Sequence, residues 1–193
     1  SNILYTAGSS GYMTRISGFP SSSSIGNFNI SALKNGQITA VKTDPNIINR
    51  VWVNSKNGTG SWQEILKIDN ANAATLEGMS ITAYPVTNMG KSLTVSCIQV
   101  EDGDPNHLVI TSSNYGVNQI WESKDGGSSW QIQDGDLPDM PVRWFMFHPD
   151  GADSAYIATD LGVWYTDNLN GSSTNWVPAN NSSMPNVSVR MLQ

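Results

Sequence analysis

Apolar and polar positions follow the same order twice in the second half of the chain. In residues 92–141, an apolar stretch ("SLTVSCIQV") is followed by a polar turn, a second apolar stretch ("HLVITS") and a Gly before an Ile-Trp pair. Residues 142–185 repeat this order from "VRWFMF" through "AYIAT" to "GVWYT", and each copy ends on a polar turn, a Trp and Met-Pro. Short apolar runs bounded by turn residues predict β-strands, and no long helical periodicity is present.

The length of the repeat predicts the fold class. Trp130 and Trp176 close the two copies and lie 46 residues apart, a typical length for one four-stranded blade of a β-propeller. A meander of short strands cannot cover its own apolar faces, whereas radial stacking of such sheets buries them. We therefore predict an all-β propeller of four-stranded antiparallel blades, with about four blades' worth of strands.

The repeat continues more weakly toward the N-terminus and beyond the second copy. "ILYTAGSSGYMTRIS" resembles part of the last full copy, and an Asp-Pro-Asn turn followed by Trp62 recurs with altered spacing. Within a single propeller region, 1–193, the approximate blades are 1–35 (partial), 36–91, 92–141 and 142–184, with 185–193 as the first strand of a further or shared blade. Two interpretations stay open: an arc that needs the remaining blades of a larger propeller as partners, or a four-blade ring closed by the terminal strands.

Composition and charge exclude several classes of partner. Only 13% of the 193 residues are charged, the net charge is −6, and the ten Lys and Arg residues are scattered. A surface that neutralises phosphates needs clustered basic residues, so we expect no nucleic-acid partner. Because no apolar run reaches the roughly 20 residues of a membrane-spanning helix, we also expect no membrane insertion. The first residues lack the basic and apolar regions of a signal peptide.

The stretch "SKDGGSSW" carries the residues of a tight turn. Asp125 is placed to accept hydrogen bonds from backbone N–H groups, Gly127 permits a positive φ, Ser123 adds a local hydrogen bond, and Trp130 anchors the hairpin. These residues resemble the Asp-box of BNR repeats, with Ser129 in place of the usual Thr.

Two further stretches look like altered copies of this turn. Asn168 and Asn57 stand at the position of the Asp in them. A turn-former can alternate between Asp and Asn, whereas a catalytic acid cannot, so we interpret Asp125 as structural.

The resemblance implies a type of fold and a cellular location, and it does not imply an activity. "FHPDGADSAYIATDLGVWYTDN" is similar to propellers of exported bacterial proteins of the WD40/YVTN/BNR-like and glycosyl-hydrolase-like type, which implies an extracellular or cell-surface location. Families built on Asp-boxes include sialidases, family 74 xyloglucanases, sortilin-type receptors and a photosystem assembly factor. The box therefore specifies a fold and leaves function to be argued from a site.

Asp160 is the candidate catalytic residue. "YIATDLGVW" resembles the Thr-Asp-x-Gly-Gly segment that carries a catalytic carboxylate in family 74 glycoside hydrolases, although Val163 replaces the second Gly. Hydrolysis of a glycosidic bond needs two carboxyl groups, and the sequence shows no partner for Asp160. The same tetrapeptide also forms ordinary turns between strands.

No metal or cofactor site is expected. Glu101, Asp102 and Asp104 suggest a calcium loop, but they align with inter-strand turns of the other copies, and a turn explains them. His107 and His148 have no Cys or acid at the spacing of a zinc site, and no phosphate-binding glycine loop is present.

Aromatic side chains near strand ends are the candidate ligand-binding residues. Tyr115, Trp144 and Tyr165 could stack on a sugar or fill a pocket of a protein partner, while packing between blades is the alternative, favoured for Trp144. We expect a non-catalytic recognition or scaffold propeller that binds a glycan or an extracellular protein. The alternatives are part of a family 74-like glycoside hydrolase that uses Asp160, and a purely structural or assembly module.

Overall fold

The computed structural model describes residues 3–7, 12–18, 24–29, 37–56, 63–86, 89, 93–149, 151–179 and 186–193. The chain divides into two compact units, Ser1–Lys91 and Ser92–Gln193. Each unit contains two antiparallel sheets whose strands follow one another in chain order. Within the described residues, no helix has the length and apolar character that a membrane crossing requires.

The first unit contains a three-stranded and a four-stranded sheet. The three-stranded sheet has the order β1-β2-β3, and the four-stranded sheet has the order β4-β5-β6-β7. Their strands are β1 (Ile3–Ala7), β2 (Tyr12–Ser17), β3 (Ser24–Asn29), β4 (Gln37–Thr43), β5 (Val51–Lys56), β6 (Gln63–Asp69) and β7 (Ser80–Pro85). Asn57 and Trp62 of the weaker turn copy lie outside the described residues.

The second unit contains two four-stranded sheets that correspond to the two clear sequence copies. The first sheet consists of β8 (Val95–Glu101), β9 (Asp104–Ser112), β10 (Ile120–Ser123) and β11 (Gln131–Ile132). The second consists of β12 (Val142–His148), β13 (Gly151–Thr159), β14 (Gly162–Thr166) and β15 (Val177–Pro178). Residues 186–193 form no strand, but the Val189 N–H donates to the Thr159 carbonyl oxygen at 2.9 Å.

The apolar faces of the strands form a core in each unit. In the first unit the core includes Met13, Val53 and Leu66, all fully buried. In the second unit, Val109 and Ile120 of the first sheet pack with Phe145 and Ile157 of the second. Packing of one sheet on the next is expected, because a meander of short strands cannot cover its own apolar faces.

The predicted fold class is confirmed. The described residues form an all-β structure of antiparallel sheets with three or four strands each, as in the blades of a propeller. The meander order arises because each connection is a turn or short loop between neighbouring strands, and such connections favour antiparallel pairing.

Candidate ligand-binding site

Three aromatic side chains form a row across the last sheet. Tyr156 on β13 and Tyr165 on β14 are paired in register, and their ring centroids lie 6.2 Å apart. His148, at the end of β12, continues the row with its ring centroid 5.6 Å from that of Tyr156. We call His148, Tyr156 and Tyr165 the aromatic row. All three side chains are partly exposed, so their rings are available to a ligand.

Two cavities border this row. One, of about 220 Å³, is lined by all three rings together with Ser154, Thr166 and Asp167. The other, of about 170 Å³, shares Tyr165, Thr166 and Asp167 and extends to Asn168, Ser173 and Asn175. Because the two cavities share three residues, we treat them as one feature, the Tyr165 groove. Its walls combine aromatic rings with carboxylate, amide and hydroxyl groups.

The outer wall of the groove is the segment between β14 and β15, residues 167–176, which we call the groove loop. Two hydroxyl groups fix its start: the Ser154 Oγ donates to the Asp167 carbonyl oxygen at 2.9 Å, and the Asn168 N–H donates to the Thr166 Oγ1 at 3.3 Å. The loop contains a short 3-10 helix, Gly171–Ser173.

Gln133 of the neighbouring sheet holds the middle of the groove loop. Its buried Oε1 accepts hydrogen bonds from the Gly171 N–H at 2.6 Å and from the Thr174 Oγ1 at 3.0 Å. The Gln133 carbonyl oxygen accepts from the Trp176 indole N–H at 2.9 Å, and the Asp136 carboxylate accepts from the Trp176 backbone N–H at 2.7 Å. The groove loop is therefore fixed by contacts to a different sheet.

The turn that resembles an Asp-box lies between β10 and β11. The Asp125 carboxylate accepts hydrogen bonds from the Ser129 N–H at 2.8 Å, the Ser129 Oγ at 2.6 Å and the Ser123 Oγ at 2.9 Å. The Gly127 N–H donates to the Ser123 Oγ at 2.8 Å, and the φ of Gly127 is +92°. The Trp130 indole N–H donates to the Gly127 carbonyl oxygen at 3.0 Å. All of these hydrogen bonds join residues of the same turn, so they stabilise its conformation locally.

Asp160 lies in the two-residue turn between β13 and β14. Arg143 holds both of its carboxylate oxygens, with Nε at 3.2 Å from Oδ1 and Nη2 at 3.0 Å from Oδ2, and the Ser188 Oγ donates to Oδ1 at 3.0 Å. The hydrogen bond from Arg143 is the main cause of a lowered pKa of Asp160. A carboxyl group held ionised suits a nucleophile, a base or an ion pair, whereas a general acid needs a raised pKa.

The other predicted residues are spread over the second unit. Tyr115 is 64% exposed in the loop between β9 and β10, away from the aromatic row in sequence and on the other sheet. Trp144 on β12 is partly buried. Glu101 and Asp104 flank the tight β8–β9 turn, with Asp102 inside it. Within the described residues, no group of His, Cys, Asp or Glu side chains is arranged to hold a metal ion.

Sequence reasoning found one member of the aromatic row and missed two. The two-residue turn at Asp160 and Leu161 pairs Thr159 with Gly162, and counting outward from that pair places Tyr156 opposite Tyr165. The pairing of Tyr156 with Tyr165 could therefore have been predicted from the sequence. The position of His148 could not, because an irregularity in the β12–β13 register precedes it.

Comparison with known proteins identifies the fold. No protein-family model and no curated protein matches the sequence. The structure is similar to the crystal structure of the Niastella koreensis GH74 enzyme, with 18% sequence identity and a TM-score of 0.64, over 97% of this chain and 29% of that chain. It is also similar to an ancestral GH74 enzyme, with 17% identity and a TM-score of 0.56, over 94% of this chain and 24% of that chain.

These values show a propeller-type fold shared with GH74 enzymes. This chain spans less than a third of the length of either enzyme. A fold hosts many functions, so the activity of those enzymes does not transfer with it.

Proposed function

We propose that this chain is a non-catalytic recognition segment of an extracellular propeller and that it binds a glycan in the Tyr165 groove. The observation that carries the proposal is the aromatic row of His148, Tyr156 and Tyr165, which borders two connected cavities. Tyrosine rings offer an apolar face to the C–H side of a sugar, and their hydroxyl groups stay near water.

The polar lining of the groove supports this ligand class. Asp167, Asn168 and Asn175 supply carboxylate and amide groups beside the rings. Carbohydrate hydroxyl groups both donate and accept hydrogen bonds, so such side chains can fix the orientation of a sugar that stacks on the rings. Among the described residues that line the two cavities there is no Lys or Arg, which favours a neutral glycan over an acidic one.

A role within a glycoside hydrolase is the second candidate. The ionised Asp160 and the fold shared with GH74 enzymes favour it. The bidentate contact from Arg143 speaks against it, because a substrate would have to compete with an ion pair for the same carboxylate oxygens. The Tyr165 groove and Asp160 are separate, since neither cavity is lined by Asp160.

The proposal is tested by calorimetric titration with soluble neutral oligosaccharides, beginning with xyloglucan and cello-oligosaccharides. Tyr165→Ala should weaken binding about tenfold, which corresponds to about 1.4 kcal/mol, within the range measured for aromatic contacts. Tyr165→Phe keeps the ring and should retain most of the affinity. Tyr115→Ala, at an exposed tyrosine in the loop between β9 and β10, is the matched control and should bind like the unmodified chain.

Two results would change the assignment. If Tyr115→Ala loses affinity and Tyr165→Ala does not, the glycan site lies at the loop between β9 and β10. If no glycan binds, the structural or assembly role is favoured. Release of reducing ends from xyloglucan, abolished in Asp160→Asn, would instead support the hydrolase.

A further inference from the structure

We propose that a chain of buried and partly buried side chains, Glu101–His107–Glu122–Gln133, positions the groove loop, and that loss of the proton from His107 loosens the loop and weakens ligand binding. The inference rests on the proposed function for its effect on binding. Its structural part, the coupling of His107 to the groove loop, can be measured without any ligand.

The chain begins at a histidine held between two carboxylates. The His107 Nδ1 lies 2.6 Å from the Glu101 Oε2, and the Nε2 lies 2.6 Å from the Glu122 Oε1. His107 is 3% exposed and Glu122 is 4% exposed. A neutral imidazole has one N–H donor and an imidazolium has two, so hydrogen bonds to both carboxylates require the protonated ring.

Lys124 and Asp153 are further charged groups beside this cluster. Burial of the ring opposes its protonation, but the hydrogen bonds and charges of Glu122 and Glu101 outweigh that effect and raise the pKa of His107 above its ordinary value. Lys124 lies 3.6 Å from the Glu122 Oε1 and 3.3 Å from the Asp153 Oδ1 on β13. On the side of β12, the group that packs against His107 is the uncharged ring of Phe147, with centroids 4.8 Å apart.

The second carboxylate oxygen of Glu122 connects the His107 contact to Gln133. The Gln133 Nε2 donates to the Glu122 Oε2 at 2.7 Å, and this contact fixes which end of the amide faces the groove loop. The Gln133 Oε1 then accepts from the Gly171 N–H and the Thr174 Oγ1. Three consecutive buried hydrogen bonds, His107–Glu122, Glu122–Gln133 and Gln133–Gly171, therefore connect His107 to the loop that forms one wall of the Tyr165 groove, and the Thr174 contact duplicates the last of them.

Loss of the proton should break this chain at Glu122 when the remaining ring N–H lies on Nδ1 and donates to Glu101. A neutral ring leaves one carboxylate without its donor and places a nitrogen lone pair 2.6 Å from a carboxylate oxygen. The Glu122 Oε1 then keeps only the more distant Lys124 Nζ, at 3.6 Å, so Glu122 is expected to turn toward Lys124 and to release Gln133. Because the pKa of His107 is raised in the folded chain, the chain of contacts is complete below about pH 6.5 and is lost as the pH rises through the folded pKa.

The experiment follows the two histidines and the groove loop by NMR as a function of pH. The sequence contains only two histidines, so the ring C–H signals of His107 are easily distinguished. Protection of the Gly171 amide against hydrogen exchange, corrected for the intrinsic effect of pH, and the shift of the Trp176 indole N–H report the loop. Both should change together with the ring C–H signals of His107.

Two variants test separately the titration of His107 and its coupling to the groove loop. His107→Gln should abolish the pH dependence of the loop signals, while Gln133→Leu should leave His107 titrating and keep the loop loosened at all pH values. Affinity for the oligosaccharide should fall roughly tenfold across the His107 titration in the unmodified chain, a usual size for coupling between two sites, and Gln133→Leu should lack the change that follows His107.

The outcomes distinguish this inference from the proposed function. Loop signals that stay constant while His107 titrates, or that keep their pH dependence in His107→Gln, overturn the coupling. Loop signals that follow His107 in a chain that binds no glycan support the coupling and refute the glycan proposal. If His107→Gln does not fold, the titration of the unmodified chain and of Gln133→Leu still decides the question.

Discussion

Gly135 is the position at which one added methyl group should most disturb the contact between the two sheets of the second unit. Its φ is +51°, and a Cβ placed on it would lie 1.8 Å from the Thr174 carbonyl oxygen and 2.6 Å from the Thr174 carbonyl carbon. The obstructing atoms are backbone, so they cannot rotate away as a side chain would. Gly135→Ala therefore has to separate the segment after β11 from the groove loop.

Gly116 provides a matched control. Its φ is +71°, also in the left-handed region, but a Cβ there would meet nothing within 4 Å. Alanine in the left-handed conformation costs about 1–2 kcal/mol, and this is the whole loss expected for Gly116→Ala. Gly135→Ala adds an overpacking cost of about 1–3 kcal/mol, for a total of about 2–5 kcal/mol. The difference between the two variants isolates the close approach of Gly135 to Thr174.

Urea unfolding followed by tryptophan fluorescence measures both losses, and the NMR signal of the Trp176 indole reports whether the groove loop moves. We expect a larger loss and a shifted Trp176 signal for Gly135→Ala alone. Equal losses in the two variants, within about 0.5 kcal/mol, would refute the argument, because they would leave no cost for the contact with Thr174.

Two further predictions concern the turn after β10 and the core. Asp125→Ala removes three hydrogen bonds and should reduce the free energy of unfolding by about 1–2 kcal/mol, with a smaller loss for Asp125→Asn, measured by urea unfolding. The hydrogen bond from the Ser129 hydroxyl is the main cause of a lowered pKa of Asp125. The stabilisation by the ionised Asp125 carboxylate is therefore present above about pH 3.9 and is lost as the pH falls through the folded pKa. Phe145→Ala, at a fully buried position, should cost about 3–5 kcal/mol. Val187→Ala, at an exposed position, should cost less than about 0.5 kcal/mol, and equal effects of the two would contradict the placement of the core.

The strand pattern was readable from the sequence because the strands of the second unit are short apolar runs bounded by turn residues. On β10, for example, all four residues are buried, and the strand ends where the turn with Asp125 begins. The tight turns were readable for a related reason: Asp125 and Gly127 are residue types that a turn requires locally, without help from distant contacts.

The contacts that shape the candidate site depend on distant pairing, so the sequence could not supply them. Glu122 lies 15 residues from His107, and Gln133 lies 38 residues from Gly171. Each pair meets only after the loop between β9 and β10, or the packing of one sheet on the next, has set the register. Asp160 and Tyr165 were found because short motifs draw attention to them, but the partners Arg143 and Ser188 of Asp160 come from other segments.

The most direct test of the glycan proposal is a map of amide chemical-shift changes while a neutral xyloglucan oligosaccharide is titrated into the isotope-labelled chain. The account predicts the largest changes along the Tyr165 groove, at Tyr156, Tyr165, Asp167 and Asn175. Changes centred on Asp160 and Arg143, with the groove unaffected, would contradict it.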